Sequence, residues 1–135
     1  MKKNFLAFLA LALLAGHAHA GSVIVAADSK AGAMDAEAVR RVFLGREAVV
    51  GGAKAQVIYQ KGGAVRETFD KAVLGKAGAE LTTYWSRLIF TGKATAPDEV
   101  ANDAAVKAKV AGTPGAIGYV SDAAVDGSVK VLHKF

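Results

Sequence analysis

After residue 20 the chain keeps switching between two apolar periodicities, and that alternation constrains its fold more than any single motif. Ser22-Val23-Ile24-Val25-Ala26-Ala27 is apolar and β-branched on both parities, the pattern of a strand buried on both faces. Asp35 then stands at an N-cap, Val39, Val42 and Phe43 fall at helical spacing, and Gly45 sits where a left-handed glycine ends a helix. Residues 46–53, with Gly51-Gly52, read as a loop before a second strand, Ala55-Gln56-Val57-Ile58-Tyr59. Beyond Gln60-Lys61-Gly62-Gly63 a second helix is predicted. Val65, Phe69, Ala72 and Val73 form its apolar face, Glu67 and Lys71 an i,i+4 pair on the other, and Gly75 its stop.

A third helix carries the stripe Leu81, Tyr84, Trp85, Leu88 and Ile89 and ends near Gly92. Asn102 or Asp103 caps a short fourth helix bearing Val106 and Val110 ahead of Gly112. Gly115-Ala116-Ile117-Gly118-Tyr119-Val120 is a third strand, Asp126-Gly127 a turn, and Val129-Lys130-Val131-Leu132 a fourth strand. Strands alternating with helices predict an α/β fold with a central, mostly parallel sheet flanked by helices. No repeat or linker interrupts residues 21–135, so they are expected to form a single domain.

The first 20 residues belong to a different class. Met1-Lys2-Lys3-Asn4 is positively charged, Phe5 opens an apolar run to Ala15, and Ala18-His19-Ala20 is an Ala-x-Ala pattern before Gly21. This is the layout of a secretory signal peptide, too short to span a bilayer of roughly 30 Å hydrocarbon. The expectation is a protein exported to the periplasm, cleaved after Ala20, and not membrane-spanning.

Loss of that leader narrows the chemistry. It removes Lys2 and Lys3, which lowers the formal charge from +5 to +3, and leaves no basic run longer than Arg40-Arg41. A nucleic-acid binder clusters its positive charge, so no nucleic-acid partner is expected. The chain has no Cys, and His133 is the one histidine that survives, close to a chain end where fraying is the default. Thiol chemistry, most hydrolase triads and His-rich metal sites are thereby removed. A non-enzyme without metal or cofactor is the expectation.

One segment invites a ligand. In Tyr59-Gln60-Lys61-Gly62-Gly63-Ala64-Val65-Arg66 a strand ends, two glycines turn the chain and a helix begins. Free N–H groups at a helix start favour an anion, and Arg66 or Lys61 can add a charged hydrogen bond. A plain strand–helix turn with solvated basic residues fits the same spacing, which matches neither a P-loop nor a dinucleotide fingerprint. Tyr84 and Trp85 lie on the apolar stripe and read as core rather than as a stacking platform. Asp122 and Asp126 read as solvated loop acids, and Thr113-Pro114-Gly115 as a tight turn that brings backbone near another segment.

Val42-Phe43-Leu44-Gly45, Tyr84-Trp85 with Phe90-Thr91-Gly92-Lys93, and Thr113-Pro114-Gly115-Ala116-Ile117-Gly118-Tyr119-Val120 together resemble a set of short exported proteins. Those look like one lobe of the phosphate-binding protein of ABC transporters, in the type 2 periplasmic-binding-protein superfamily. The resemblance implies one α/β lobe of that clamp. It also implies a non-enzymatic solute- or anion-binding role linked to phosphate uptake or sensing, with phosphate or another small oxyanion as ligand. A membrane transporter or sensor protein is the implied partner, and a docking module without small ligand is the alternative. In the full-length family a strand-end Arg and a Ser-Gly-Thr hold the anion. Aligned on Phe69, those positions are Tyr59 and Gly63-Ala64-Val65 here. The implied ligand set is therefore the backbone of Gly62, Gly63, Ala64 and Val65 with the side chain of Arg66.

Protein recovered from the periplasm should begin at Gly21. Intact-mass spectrometry checks this, and retention of the first 20 residues would remove the export reading.

Overall fold

The computed structural model describes residues 20–135; the expected leader, apart from Ala20, lies outside the described residues. In chain order the elements are β1 (Gly21–Ala26), α1 (Ala36–Phe43), β2 (Val49–Val50), β3 (Ala53–Lys54), β4 (Gln56–Gln60) and α2 (Ala64–Phe69). A π-helical turn (Asp70–Leu74) prolongs α2, and α3 (Gly78–Phe90), β5 (Asp98–Val100), α4 (Asp103–Gly112), β6 (Ala116–Ser121) and β7 (Val129–Lys134) follow. Five strands form the main sheet in the order β5-β4-β6-β1-β7. β4 is parallel to β5 and to β6, while β1 is antiparallel to β6 and β7, so every strand but β1 shares one direction. The mostly parallel α/β sheet expected from the sequence is present, with β1 as its exception.

Both faces of the sheet are covered, which is why its strands are apolar on both parities. Val23, Val25, Tyr59, Ile117 and Tyr119 face α1, α2 and α3, packing with Val39, Phe43, Phe69 and Trp85. The alternate residues Ile24, Ile58, Ala116 and Val120 face α4 through Val106 and Val110. Gly118 makes that second face possible, since a Cβ there would lie 2.5 Å from Val106 Cγ1. The few aromatics are concentrated on the first face. Phe69 stacks on Tyr119 with centroids 4.1 Å apart, and Phe43, Tyr59 and Phe135 meet Phe69 edge-on.

Local signals account for most boundaries. Asp35 accepts from the Ala38 N–H and Asn102 from the Ala105 N–H, so both expected caps form. Two tyrosines close the other end of α1: the Tyr59 hydroxyl donates to Phe43 O and the Tyr84 hydroxyl to Leu44 O, each at 2.5 Å. These carbonyls belong to the set a helix C-terminus leaves without intrahelical partners. The edge of β7 is partly covered, since the Met34 N–H donates to Leu132 O.

Several expectations change. Residues 46–53 hold half of a small hairpin rather than a loop: β2 pairs with β3 across the two-residue turn Gly51-Gly52. β5 was not foreseen. β7 runs to Lys134 instead of stopping at Leu132, and His133 pairs with Val23 instead of fraying. The π-helical turn shifts the phase after Phe69, so Asp70, Val73 and Leu74 turn inward while Ala72 is exposed. At the end of α3, Ile89 leaves the core and is 43% exposed, next to Phe90 at 92%.

Gly115 adopts φ +80°, and a Cβ there would collide with the carbonyl oxygen of Lys54. Its own carbonyl accepts from the Gln56 N–H at 3.0 Å, which sets the register of β4 beside β6. The close backbone approach expected of Thr113-Pro114-Gly115 is this contact. Gly115→Ala should cost about 2–4 kcal/mol, combining left-handed strain with a backbone clash. Gly127→Ala, in open space, should stay within about 0.5 kcal/mol. Urea denaturation of both variants checks the contrast.

Candidate functional site

The turn singled out in the sequence lies at the carboxyl end of β4. Gln60 is buried, and the Lys61 N–H donates to Val100 O at 2.9 Å, which ties the turn to β5. Gly63 takes φ +96°, which an L side chain rarely adopts, and leads directly into α2. A Cβ at Gly62 or Gly63 would meet nothing within 4 Å, so this turn faces solvent. The N–H groups of residues 62–66 have no hydrogen-bond acceptor among the described residues, and the first intrahelical bond runs from Glu67 N to Gly63 O. The structure thus brings Gly62, Gly63, Ala64, Val65 and Arg66 together as a short run of free donors.

Arg66 is not a solvated side chain of a plain strand–helix turn. Its side chain is 18% exposed and folds back over the end of β4. Nη1 donates to Gln60 O at 2.6 Å and to Glu99 Oε1 at 3.2 Å, and Nε donates to Asp70 Oδ2 at 3.0 Å. The guanidinium carbon sits 5.0 Å from the centroid of the Tyr59 ring. Nη2 has no partner among the described residues and remains open. The i,i+4 ion pair of this helix is therefore Arg66–Asp70, not the expected Glu67–Lys71.

Electrostatics follow from burial. Desolvation holds the Asp70 carboxyl above its ordinary value, outweighing the bond and charge of Arg66, and its Oδ1 has no partner among the described residues. Burial alone would lower the Arg66 pKa, but Asp70 and Glu99 outweigh it and hold the guanidinium charged. Asp103 shows the opposite balance. Burial would raise it, yet bonds from the Ser121 hydroxyl, Gln60 Nε2 and the Ser121 N–H lower it. Those bonds measure 2.5, 2.7 and 3.2 Å and fill the space between the ends of β4 and β6.

Other candidates are dispersed. Trp85 is core, as expected, with its ring edge-on to Tyr59. Asp122 accepts from the Ser22 hydroxyl at 2.6 Å, whereas Asp126 holds Lys107 and caps Ser128, so the two acids form no pair. His133 Nδ1 lies 3.1 Å from Met34 O. Among the described residues no three His, Cys, Asp or Glu side chains converge on a metal position, and no helix is long and apolar enough to cross a membrane. Two cavities, of about 790 and 430 Å³, flank the β2–β3 hairpin at the amino ends of β4 and β6. Residues 62–66 line neither.

Glu99, Asp70 and Gln60 were absent from the sequence-derived set. The Arg66–Asp70 spacing carried a usable signal; Glu99 reaches the site only through strand pairing, which puts it opposite Tyr59.

No protein-family model matches the chain, and no curated protein matches it by sequence. Solved structures do match. A phosphate ABC transporter substrate-binding protein with bound phosphate from Clostridium perfringens is 19% identical, with a TM-score of 0.66 over 84% of this chain and 44% of that one. An ABC-type phosphate transport receptor from Vibrio cholerae is 16% identical, with a TM-score of 0.66 over 85% and 46%. PstS from Borrelia burgdorferi is 15% identical, with a TM-score of 0.65 over 84% and 46%. The chain has the fold of a single periplasmic-binding-protein-like lobe and spans less than half the length of the solved structures it matches. The likeness at these identities is one of fold.

Arg66→Ala should cost about 2–4 kcal/mol at pH 7, because Asp70 is left buried without its cation. Asp70 already binds its proton more readily folded than unfolded, and loss of Arg66 strengthens that preference. The deficit should therefore shrink as pH falls into the carboxylate range and Asp70 takes up its proton. Urea unfolding at pH 7 and in that range, with the Arg66→Ala/Asp70→Asn double variant as the pH-insensitive control, tests this.

Proposed function

We propose that this protein is an exported, non-enzymatic anion-binding module of the phosphate-binding-protein type, with a role in phosphate uptake or sensing. In this reading residues 1–20 are a signal peptide, residues 21–135 are one periplasmic domain, and a small oxyanion such as phosphate binds residues 62–66. The observation that carries it is the run of free N–H groups at 62–66 on the turn that also carries Arg66, whose Nη2 has no partner among the described residues. Backbone N–H groups at a helix start attract anions, and a guanidinium offers a planar fork to two oxygens. The fold likeness to a phosphate-bound protein supports the ligand class. A binding role fits the fold neighbours, a substrate-binding protein and a transport receptor.

The anion would be held from one side. With water on the other, each charge-assisted bond is screened. The dissociation constant for phosphate should be about 0.1 mM or weaker, a binding free energy of roughly −5.5 kcal/mol at most. At a hundredfold excess over that constant, phosphate should stabilise the fold by about 2.7 kcal/mol. Calorimetry and melting temperature against phosphate, sulfate and small carboxylates check both values; sub-micromolar binding would mean a complete site elsewhere.

A second reading, docking of a membrane-bound transporter or sensor subunit without a small ligand, is favoured by one feature. Ile89 and Phe90 present a solvent-facing apolar tip at the end of α3. A melting temperature indifferent to every anion would favour it over the first.

A further inference from the structure

We propose that Glu99 is a built-in competitor for the guanidinium of Arg66, so that an oxyanion engages the Nη1–Nη2 edge with both donors only by taking the place of the Glu99 carboxylate. This rests on the reading of Arg66 as an anion contact and adds the residue that limits its affinity. The acceptors around the guanidinium are unequal. Gln60 O belongs to a buried strand residue, and the Asp70 side chain is 6% exposed, one helical turn from Arg66. Neither can leave without local unfolding. The Glu99 side chain is 50% exposed and stands on a three-residue edge strand, free to swing into water.

Its position is set by the fold. β4 and β5 pair in parallel with Tyr59 opposite Glu99, so both side chains leave the same face of the sheet. The guanidinium lies over the Tyr59 ring, and the carboxylate beside that ring meets it at Nη1. A carboxylate and a tetrahedral oxyanion present the same chemistry to a guanidinium: two oxygens sharing negative charge. With Glu99 in place, an incoming anion finds Nη1 occupied and a like charge next to it. With Glu99 withdrawn, Nη1 and Nη2 present one edge to an anion, on the same turn as the free N–H groups of residues 62–66.

Inorganic phosphate titrated calorimetrically into the purified protein at low salt tests this. Glu99→Gln and Glu99→Ala should each bind phosphate about three- to tenfold tighter than the parent, the gain from freeing one donor and removing one half-exposed charge. Glu37→Gln, which removes an exposed carboxylate from α1, changes net charge equally and should stay within about twofold. If both Glu99 variants bind as the parent does while Arg66→Lys binds more weakly, Glu99 is not the competitor although Arg66 is the contact. If Arg66→Lys binds as the parent does, or if neither parent nor Glu99 variants take up phosphate, the anion reading of Arg66 fails and this proposal with it. A gain shared by Glu37→Gln would reduce the effect to net charge and overturn the proposal as well.

Discussion

Tyr59 joins the core to the site. Its ring meets Phe43, Phe69, Trp85 and Tyr119 edge-on, and its hydroxyl donates to Phe43 O at the end of α1. Burial raises its pKa, so the phenol is neutral at neutral pH and keeps that bond. The guanidinium of Arg66 rests on its other side. One residue therefore packs the first face of the sheet, closes α1 and supplies the platform for the charge at the end of β4. The strand contributes this tyrosine, and the positive group beside it arrives from the first turn of α2, with much of its charge committed to internal partners.

The sheet was legible because burial on both faces leaves a direct mark: β1 and β6 are apolar at consecutive residues, and glycines bracket the helices between them. Both polar caps were legible for the same reason, since Asp35 and Asn102 have no competing role. Elements that depend on pairing were not. β5 is Asp98-Glu99-Val100, with no apolar period, and is a strand only because β4 offers it an open edge. The π-helical turn leaves no periodicity to read, and it is what turns Asp70 inward. The N–H groups of the candidate site were visible as a glycine turn, whereas the direction of Arg66 was not. That direction is decided by Asp70, whose i,i+4 spacing was the one usable signal, and by Glu99, hidden by strand pairing.

Neutralisation governs the carboxyl end of the sheet. Asp103 is bound by Ser121 and Gln60, Asp122 by Ser22, and Arg66 by Asp70 and Glu99. Each acid named there has its donor, and the partly buried guanidinium of Arg66 has two acids. A site of this kind is stable without a ligand. By the same balance it offers an anion little net positive potential, so donors on uncharged backbone, at residues 62–66, must supply much of any attraction. Backbone donors are fixed in place and lose no side-chain entropy on binding, which favours them over mobile Lys61.

Topology locates the site independently of these residues. The chain leaves β4 toward β5 on one side and leaves β6 toward β7 on the other, so the connections diverge between the carboxyl ends of β4 and β6. In open α/β sheets ligands bind in the crevice at such a divergence. In this protein the crevice is filled by the Asp103 carboxylate, held from both strands by Gln60 and Ser121. Its lowered pKa keeps it ionised through neutral pH, and it would repel an anion placed in the crevice itself. The remaining donors at this end of the sheet lie one step outward, on the turn at residues 62–66, with Gln60 between them and Asp103. In the proposed reading the fold sets the end of the sheet, and the plugged crevice moves the anion outward to the turn that carries Arg66 over Tyr59.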